Sequence, residues 1–312
     1  MVPNILRITP IIHPMVSLLV LSASIGGMPH YTYASETSPL LAQIQTLPNT
    51  QSVNYSIHNP LGESTDIAFQ PPDTMESTDP LDRPRGGGSR CSSDGTPCID
   101  LLPLTALVPS HEHITPTAWG GTRSLFSTWG QTLSAQPTLW FYLPYGAEDV
   151  HGVKLELLSS SGDRVHYDGD VVLGNTPGIW GYSLPPTVSL DVGETYRWNL
   201  LVKFDPLAPA TDDLVSGRIQ RVALPAQTQQ QLNQALDQTS DQVSDQASAI
   251  AQAQILARSG IWYDLLTTIA TAYPQDRVVW QAVWQDVLTD VGLSDIADVP
   301  LADAWTISLE EP

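Results

Sequence analysis

His111, Glu112 and His113 are the residues of this 312-residue chain whose spacing most directly suggests chemistry. On a strand, an H-x-H pair sets both imidazoles on one face, and neutral imidazoles are zinc ligands. His151 and His166 are the candidates for a third ligand, and the spacing selects neither. With a third ligand the pair would describe a metal-assisted hydrolase. The segment around it has the composition of a loop, which favours plain surface histidines. Asp163, Asp168 and Asp170 surround a turn and offer oxygen ligands for calcium. No twelve-residue EF-hand loop accompanies them, so polar turn residues account for them equally well.

Other reactive groups are few. Cys91 and Cys98 are the only cysteines, in RCSSDGTPCID, and in an oxidising compartment they read as one disulfide. Closing so small a loop would contribute roughly 2.5 kcal/mol, less any strain. No C-x-x-C pair, G-x-S-x-G elbow, G-x-G-x-x-G turn or phosphate loop occurs, so no cofactor and no catalytic residue is indicated. Residues 83–90 read RPRGGGSR, and three glycines let backbone N–H groups converge on an anion. Neither Gly-Lys-Ser/Thr nor a helix follows, so the segment reads as a flexible hinge at a domain entrance.

Aromatic side chains give the strongest binding signal. Among nine tryptophans, Trp119, Trp129 and Trp180 are candidates to stack on sugar rings, whereas the periodicity around Trp140, Trp198 and Trp262 places those in a core.

Positioning such groups requires the elements around them. Thr138 to Leu143, TLWFYL, is an apolar run suited to a strand buried on both faces. Val153–Leu158 and Arg164–Leu173 flank the turn cluster SSSGD and predict a hairpin. Tyr196, Trp198, Leu200, Val202 and Phe204 alternate with other residues at the strand period, and a last strand is expected over about 214–222. Leu190, Gly193 and Tyr196 resemble the tyrosine corner of fibronectin and immunoglobulin-like sandwiches, where a Tyr hydroxyl bonds back to the backbone.

After Pro225 the texture turns helical. Gln227–Ala257 lacks Gly and Pro and carries the repeat DQTS-DQVS-DQAS at 237–248, which reads as a solvated helix face or an inserted loop. Trp262, Leu265, Leu266, Ile269 and Tyr273 form one apolar stripe, and Val279, Val283, Val287 and Val291 with Trp280, Trp284 and Leu288 form another. Three helices are therefore expected. Gly260 to Asp264 resembles the interhelical turn of a tetratricopeptide unit, and Asp264 also suits a helix start.

The amino-terminal stretch predicts export. Arg7 supplies a small positive region, Met15–Ile25 an apolar run, and Thr32 to Ala34 a small-residue cleavage site. Residues 1–34 read as a signal peptide, 35–84 as a disordered linker rich in Pro, Ser and Thr, 85–225 as a β-sandwich and 226–312 as a helical region. The whole chain carries 13 bases and 33 acids, a formal charge of -20. That balance argues against nucleic acid and anionic lipid as partners. No segment after the signal is apolar enough to span a bilayer.

Several blocks together resemble a cyanobacterial family of secreted proteins known as domain of unknown function 928. They are RGGGSR at 85–90, LTALVP at 104–109, QPTLWFYLPY at 136–145, NTPGIW at 175–180, LDVGETYRW at 190–198, GRIQRV at 217–222 and SGIWYDLLTTIA at 259–270. The stretch 111–131 is longer than that pattern, and the tetrapeptide repeat is a local expansion. The resemblance implies export, a β-rich core and a helical tail, and implies no activity. The expectation is an α+β protein of the periplasm, envelope or extracellular space: an immunoglobulin- or fibronectin-like sandwich with a small helical carboxy-terminal region. Its expected role is a non-enzymatic module binding protein or polysaccharide, with a hydrolase or an assembly factor for exported adhesins as alternatives.

Overall fold

The computed structural model describes residues 67–72, 82–87, 102–236, 242–299 and 301–308. The signal segment 1–34, Cys91 and Cys98 lie outside the described residues.

The chain is α+β, and its strands form two sheets. The first contains β1 (Thr105–Ala106), β4 (Thr138–Leu143), β7 (Gly178–Ser183) and β10 (Leu301–Ser308) in the spatial order β1-β4-β7-β10. The second contains β2 (Ser110–Pro116), β3 (Thr122–Thr132), β5 (Gly152–Ser159), β6 (Val165–Val171), β8 (Thr195–Lys203) and β9 (Asp213–Arg221). Its order is β2-β3-β9-β8-β5-β6, with β3 parallel to β9 and its other neighbours antiparallel. Along β8 every second residue is buried, as a strand with one face in the core requires. Phe141 of β4 meets Trp198 of β8 edge to face, with ring centroids 5.4 Å apart, so the two inner faces share one core. The backbone N–H of Asp191 donates to the Tyr196 hydroxyl at 3.0 Å, the bond expected of the tyrosine corner.

Four helices follow among the described residues: α1 (Ala226–Leu236), α2 (Gln242–Arg258), α3 (Trp262–Ala272) and α4 (Arg277–Asp290). Residues 242–248 of the tetrapeptide repeat belong to α2, and 237–241 lie outside the described residues. Gly260 closes α2: its N–H donates to the Ala257 carbonyl at 3.2 Å and that of Ile261 to Leu256 at 3.0 Å, a Schellman pair. This turn brings α3 back against β3 and β4, one strand from each sheet. The indole N–H of Trp262 donates to the Leu107 carbonyl at 2.7 Å. That of Trp198 donates to the Tyr263 hydroxyl at 3.0 Å, and Tyr263 donates onward to the Arg218 carbonyl at 3.2 Å. Helices and sheets thus share a single buried cluster.

Five features depart from the sequence expectation. The single helix expected over 227–257 is two, α1 and α2, so four helices stand where three were expected. The stretch around His111 is not a loop but the strand pair β2–β3; its outer half is exposed on both faces, so no hydrophobic period marks it. Residues 301–308, expected in the helical region, form β10 and pair in parallel with β7 far upstream. Within the expected linker, Ile67 and Phe69 are buried, and Phe69 packs on Trp262 with ring centroids 4.8 Å apart. Two apolar side chains in a polar stretch carry no periodicity, so the composition hides them. Lastly, the described part of the glycine-rich segment, residues 83–87, is pinned where a hinge was expected. The backbone of Arg83 pairs with Ser216 and that of Arg85 with Thr105.

Removing the Tyr263 hydroxyl would strand the buried indole N–H of Trp198. Tyr263→Phe is expected to cost about 1–3 kcal/mol of stability, measured as a lower urea midpoint with an unchanged slope.

Candidate functional site

Strands β2 and β3 form a hairpin whose root is buried and whose tip is not. Ser127 to Gly130 of β3 are buried, whereas Thr122 to Ser124 are exposed. The five residues between the strands close on themselves. Thr117 N–H donates to the Gly121 carbonyl at 2.7 Å, Gly121 N–H to the Thr117 hydroxyl at 3.0 Å, and Gly120 N–H to the Thr117 carbonyl at 3.2 Å. Gly120 sits at φ +83°, a left-handed conformation that a side chain would resist. This turn holds Trp119 at the tip, 97% exposed, and Ile114 on the adjoining strand is 67% exposed. An indole offers on the order of 150–250 Å² for burial. Leaving it in water forgoes about 4–6 kcal/mol at ~25 cal/mol per Å². Of the three tryptophans expected to bind, only Trp119 is available: Trp129 is 8% exposed and Trp180 is 6% exposed, both inside the core.

On the same hairpin the strand places both imidazoles of the H-x-H pair together. The rings of His111 and His113 meet edge to face, 4.8 Å between centroids, and His113 Nε2 lies 3.0 Å from the Ser127 hydroxyl. The other histidine candidates sit elsewhere: His166 packs on Tyr196, with ring centroids 4.9 Å apart, and His151 precedes β5. Among the described residues no group of three His, Cys, Asp or Glu side chains is placed to hold a metal. Two of the aspartates considered for calcium are held by other partners. Asp163 accepts from the Ser159 and Ser161 hydroxyls at 2.6 and 2.5 Å, which hold its carboxyl below the ordinary range, and Asp168 pairs with Lys154 at 2.6 Å.

At the hairpin's root lies a cleft of about 500 Å³. Ser110, Glu112 and Phe126 line one side, residues 82–85 with Gly87 a second, and Val291 to Leu293 after α4 the third. Asp82 is buried there, accepting from the Thr128 N–H at 3.0 Å with Arg218 Nε 3.5 Å away. Burial pushes its carboxyl up, opposed by the Thr128 N–H and the arginine. Arg85 is held by Asp295 through two bonds of 2.5 and 2.8 Å, which raise the guanidinium's pKa and lower the carboxyl's. Among the described glycines of this segment one backbone N–H meets a carboxylate, and that carboxylate belongs to the chain itself. Gly87 N–H donates to Asp213 at 3.0 Å, and a Cβ on Gly86 would collide with that carboxylate.

The family described as Domain of Unknown Function (DUF928) matches residues 85–301, which takes in β1 to β9 and all four helices and reaches the first residue of β10. The chain belongs to the DUF928 family. No match is found among curated proteins. No helix among the described residues is long and apolar enough to cross a membrane.

The DUF928 region also holds a carboxylate whose full part the sequence did not reveal. Asp264 lies in the first turn of α3, as its helix-start signal implied. It also accepts from the Thr132 hydroxyl at 2.7 Å and the Leu133 N–H at 3.0 Å, tying the end of β3 to the helix. Asp82 and Asp213 likewise hold distant backbone, and nothing in their neighbours distinguishes them from surface acids. For Asp264, burial raises the carboxyl's pKa and outweighs the bonds that lower it. The folded chain therefore keeps this proton to higher pH than the unfolded chain, whose carboxyl titrates near 3.8. Stability falls as pH rises through the window above that value. Asp264→Asn, still an acceptor, removes that fall. Urea unfolding from about pH 4 to about pH 7 should show a flatter profile for the variant.

Proposed function

We propose that this DUF928 protein is an exported, non-enzymatic interaction module that docks a polysaccharide through the tip of its β2–β3 hairpin. One observation carries the reading: Trp119 stands 97% exposed on a turn braced by its own hydrogen bonds. A side chain that forgoes so much burial in a rigid frame is available to a partner. The tip reads Thr117, Ala118, Trp119, Gly120, Gly121, Thr122 and holds no charge. A neutral indole between threonines suits the C–H face of a sugar ring better than a charged peptide. Export rests on the signal pattern in residues 1–34.

The scaffold is read as immunoglobulin-like. The order β1-β4-β7 corresponds to strands A, B and E, and β9-β8-β5-β6 to G, F, C and C′. The tyrosine corner at Tyr196 opens the strand in the F position. A difference is β10, which lies parallel beside β7 where such domains carry an antiparallel D strand.

The test is glycan-array screening of the purified chain, followed by calorimetry on the best neutral glycan. Trp119→Ala is expected to weaken that binding at least tenfold, about 1.4 kcal/mol, and to leave the unfolding midpoint within about 0.5 kcal/mol of the parent. Equal glycan binding by the variant, or capture of protein alone, overturns the reading. Amino-terminal sequencing of chain recovered outside the cytoplasm should begin at Ser35.

A further inference from the structure

We propose that His111 and His113 form half of a zinc site that a second copy of this chain completes, the two copies meeting along β2. The inference is independent of the glycan reading, since it uses neither the tip nor Trp119.

The half-site is partly built. Both imidazoles stand on one face of β2, and their rings touch. The buried Ser127 hydroxyl lies 3.0 Å from His113 Nε2, so it fixes that ring and leaves Nδ1 for a metal. Outer partners of this kind orient ligating histidines. His111 is exposed, and its ring meets His113 but has no side-chain hydrogen bond among the described residues, so it can turn toward an ion.

The site is incomplete within one chain. A structural zinc ion takes four ligands in tetrahedral geometry. Two are present, and among the described residues no third His, Cys, Asp or Glu joins them. The missing pair can come from an identical strand because β2 is the outermost strand of its sheet. An antiparallel approach about a two-fold axis at Glu112 sets His111 of each copy opposite His113 of the other. Directly opposed side chains have Cβ atoms about 4.5–5.5 Å apart, close enough for four imidazoles to converge on one ion.

The same register explains why a metal is needed. It places Glu112 opposite its own copy on the other face, and like charges so placed repel. Each chain also carries a formal charge of -20. Without zinc the copies stay apart; with it, four neutral ligands and a divalent cation hold them.

The experiment is light scattering after size exclusion on the full chain, with and without equimolar zinc sulfate, together with metal analysis. The expected result is a monomer that becomes a dimer holding one zinc per two chains, reversed by a chelator. His111→Ala and His113→Ala should each abolish both zinc uptake and the dimer while keeping the parent circular dichroism. Ser127→Ala should weaken zinc binding by about 10–100-fold, and Glu112→Gln should lower the zinc concentration needed to dimerise. One zinc per monomer, no zinc uptake, or a dimer that survives His111→Ala overturns the proposal.

Discussion

The buried relay from the Trp198 indole to the Tyr263 hydroxyl to the Arg218 carbonyl is the contact on which the rest of the architecture depends. It joins α3 to β8 and β9 in the middle of a cluster built from Trp140, Trp198, Trp262, Trp280 and Trp284, all fully buried. Burial pushes the Tyr263 phenol well above its ordinary range, so it stays neutral and can donate and accept at once. Because β9 is so fixed, it presents a straight edge to β3, which pairs with it in parallel from Trp129 to Thr132. The exposed half of the hairpin is a cantilever from that anchored segment. The tip is braced locally, by the bonds of Thr117 with Gly120 and Gly121, while α3 holds only the strand behind it.

Three carboxylates add a second layer of fixation. Asp82, Asp213 and Asp264 accept backbone N–H groups from Thr128, Gly87 and Leu133 respectively, each from a segment remote in sequence. A short acid can satisfy a backbone donor where no strand or helix partner exists, at the cost of its own desolvation. These acids are fasteners for crossing segments, as is the exposed Asp290, which accepts from the Phe69 N–H at 3.2 Å, while most of the other acids among the described residues lie on the surface. The chain's acidity therefore has two physical meanings that a net charge cannot separate.

Residues whose environment is set by near neighbours were readable from the sequence. β4, β5, β8 and β9 follow period and composition, and the stripes on α3 and α4 match their buried faces. The Tyr196 bond spans five residues and was equally legible. What escaped depends on distant partners. β10 exists because β7 offers an edge, and Ile67 and Phe69 are ordered because Trp262 and its neighbours receive them. The hairpin escaped for the opposite reason: its outer half has almost no partner, so alternation never arises. Trp119, Trp129 and Trp180 are alike in sequence, and only the fold separates one exposed indole from two core residues.

The position of β10 also bears on when this chain can finish folding. Leu301 pairs with Ile179 in the first sheet, and the family region ends at that residue. During vectorial synthesis the strands through β9 emerge first, yet the open side of β7 must wait for the last segment. A parallel partner so far along the chain is slow to recruit, since a long loop must close first. Until then β7 remains an unprotected edge, exposed to pairing with other chains. Completion of the first sheet is thus governed by the arrival of β10.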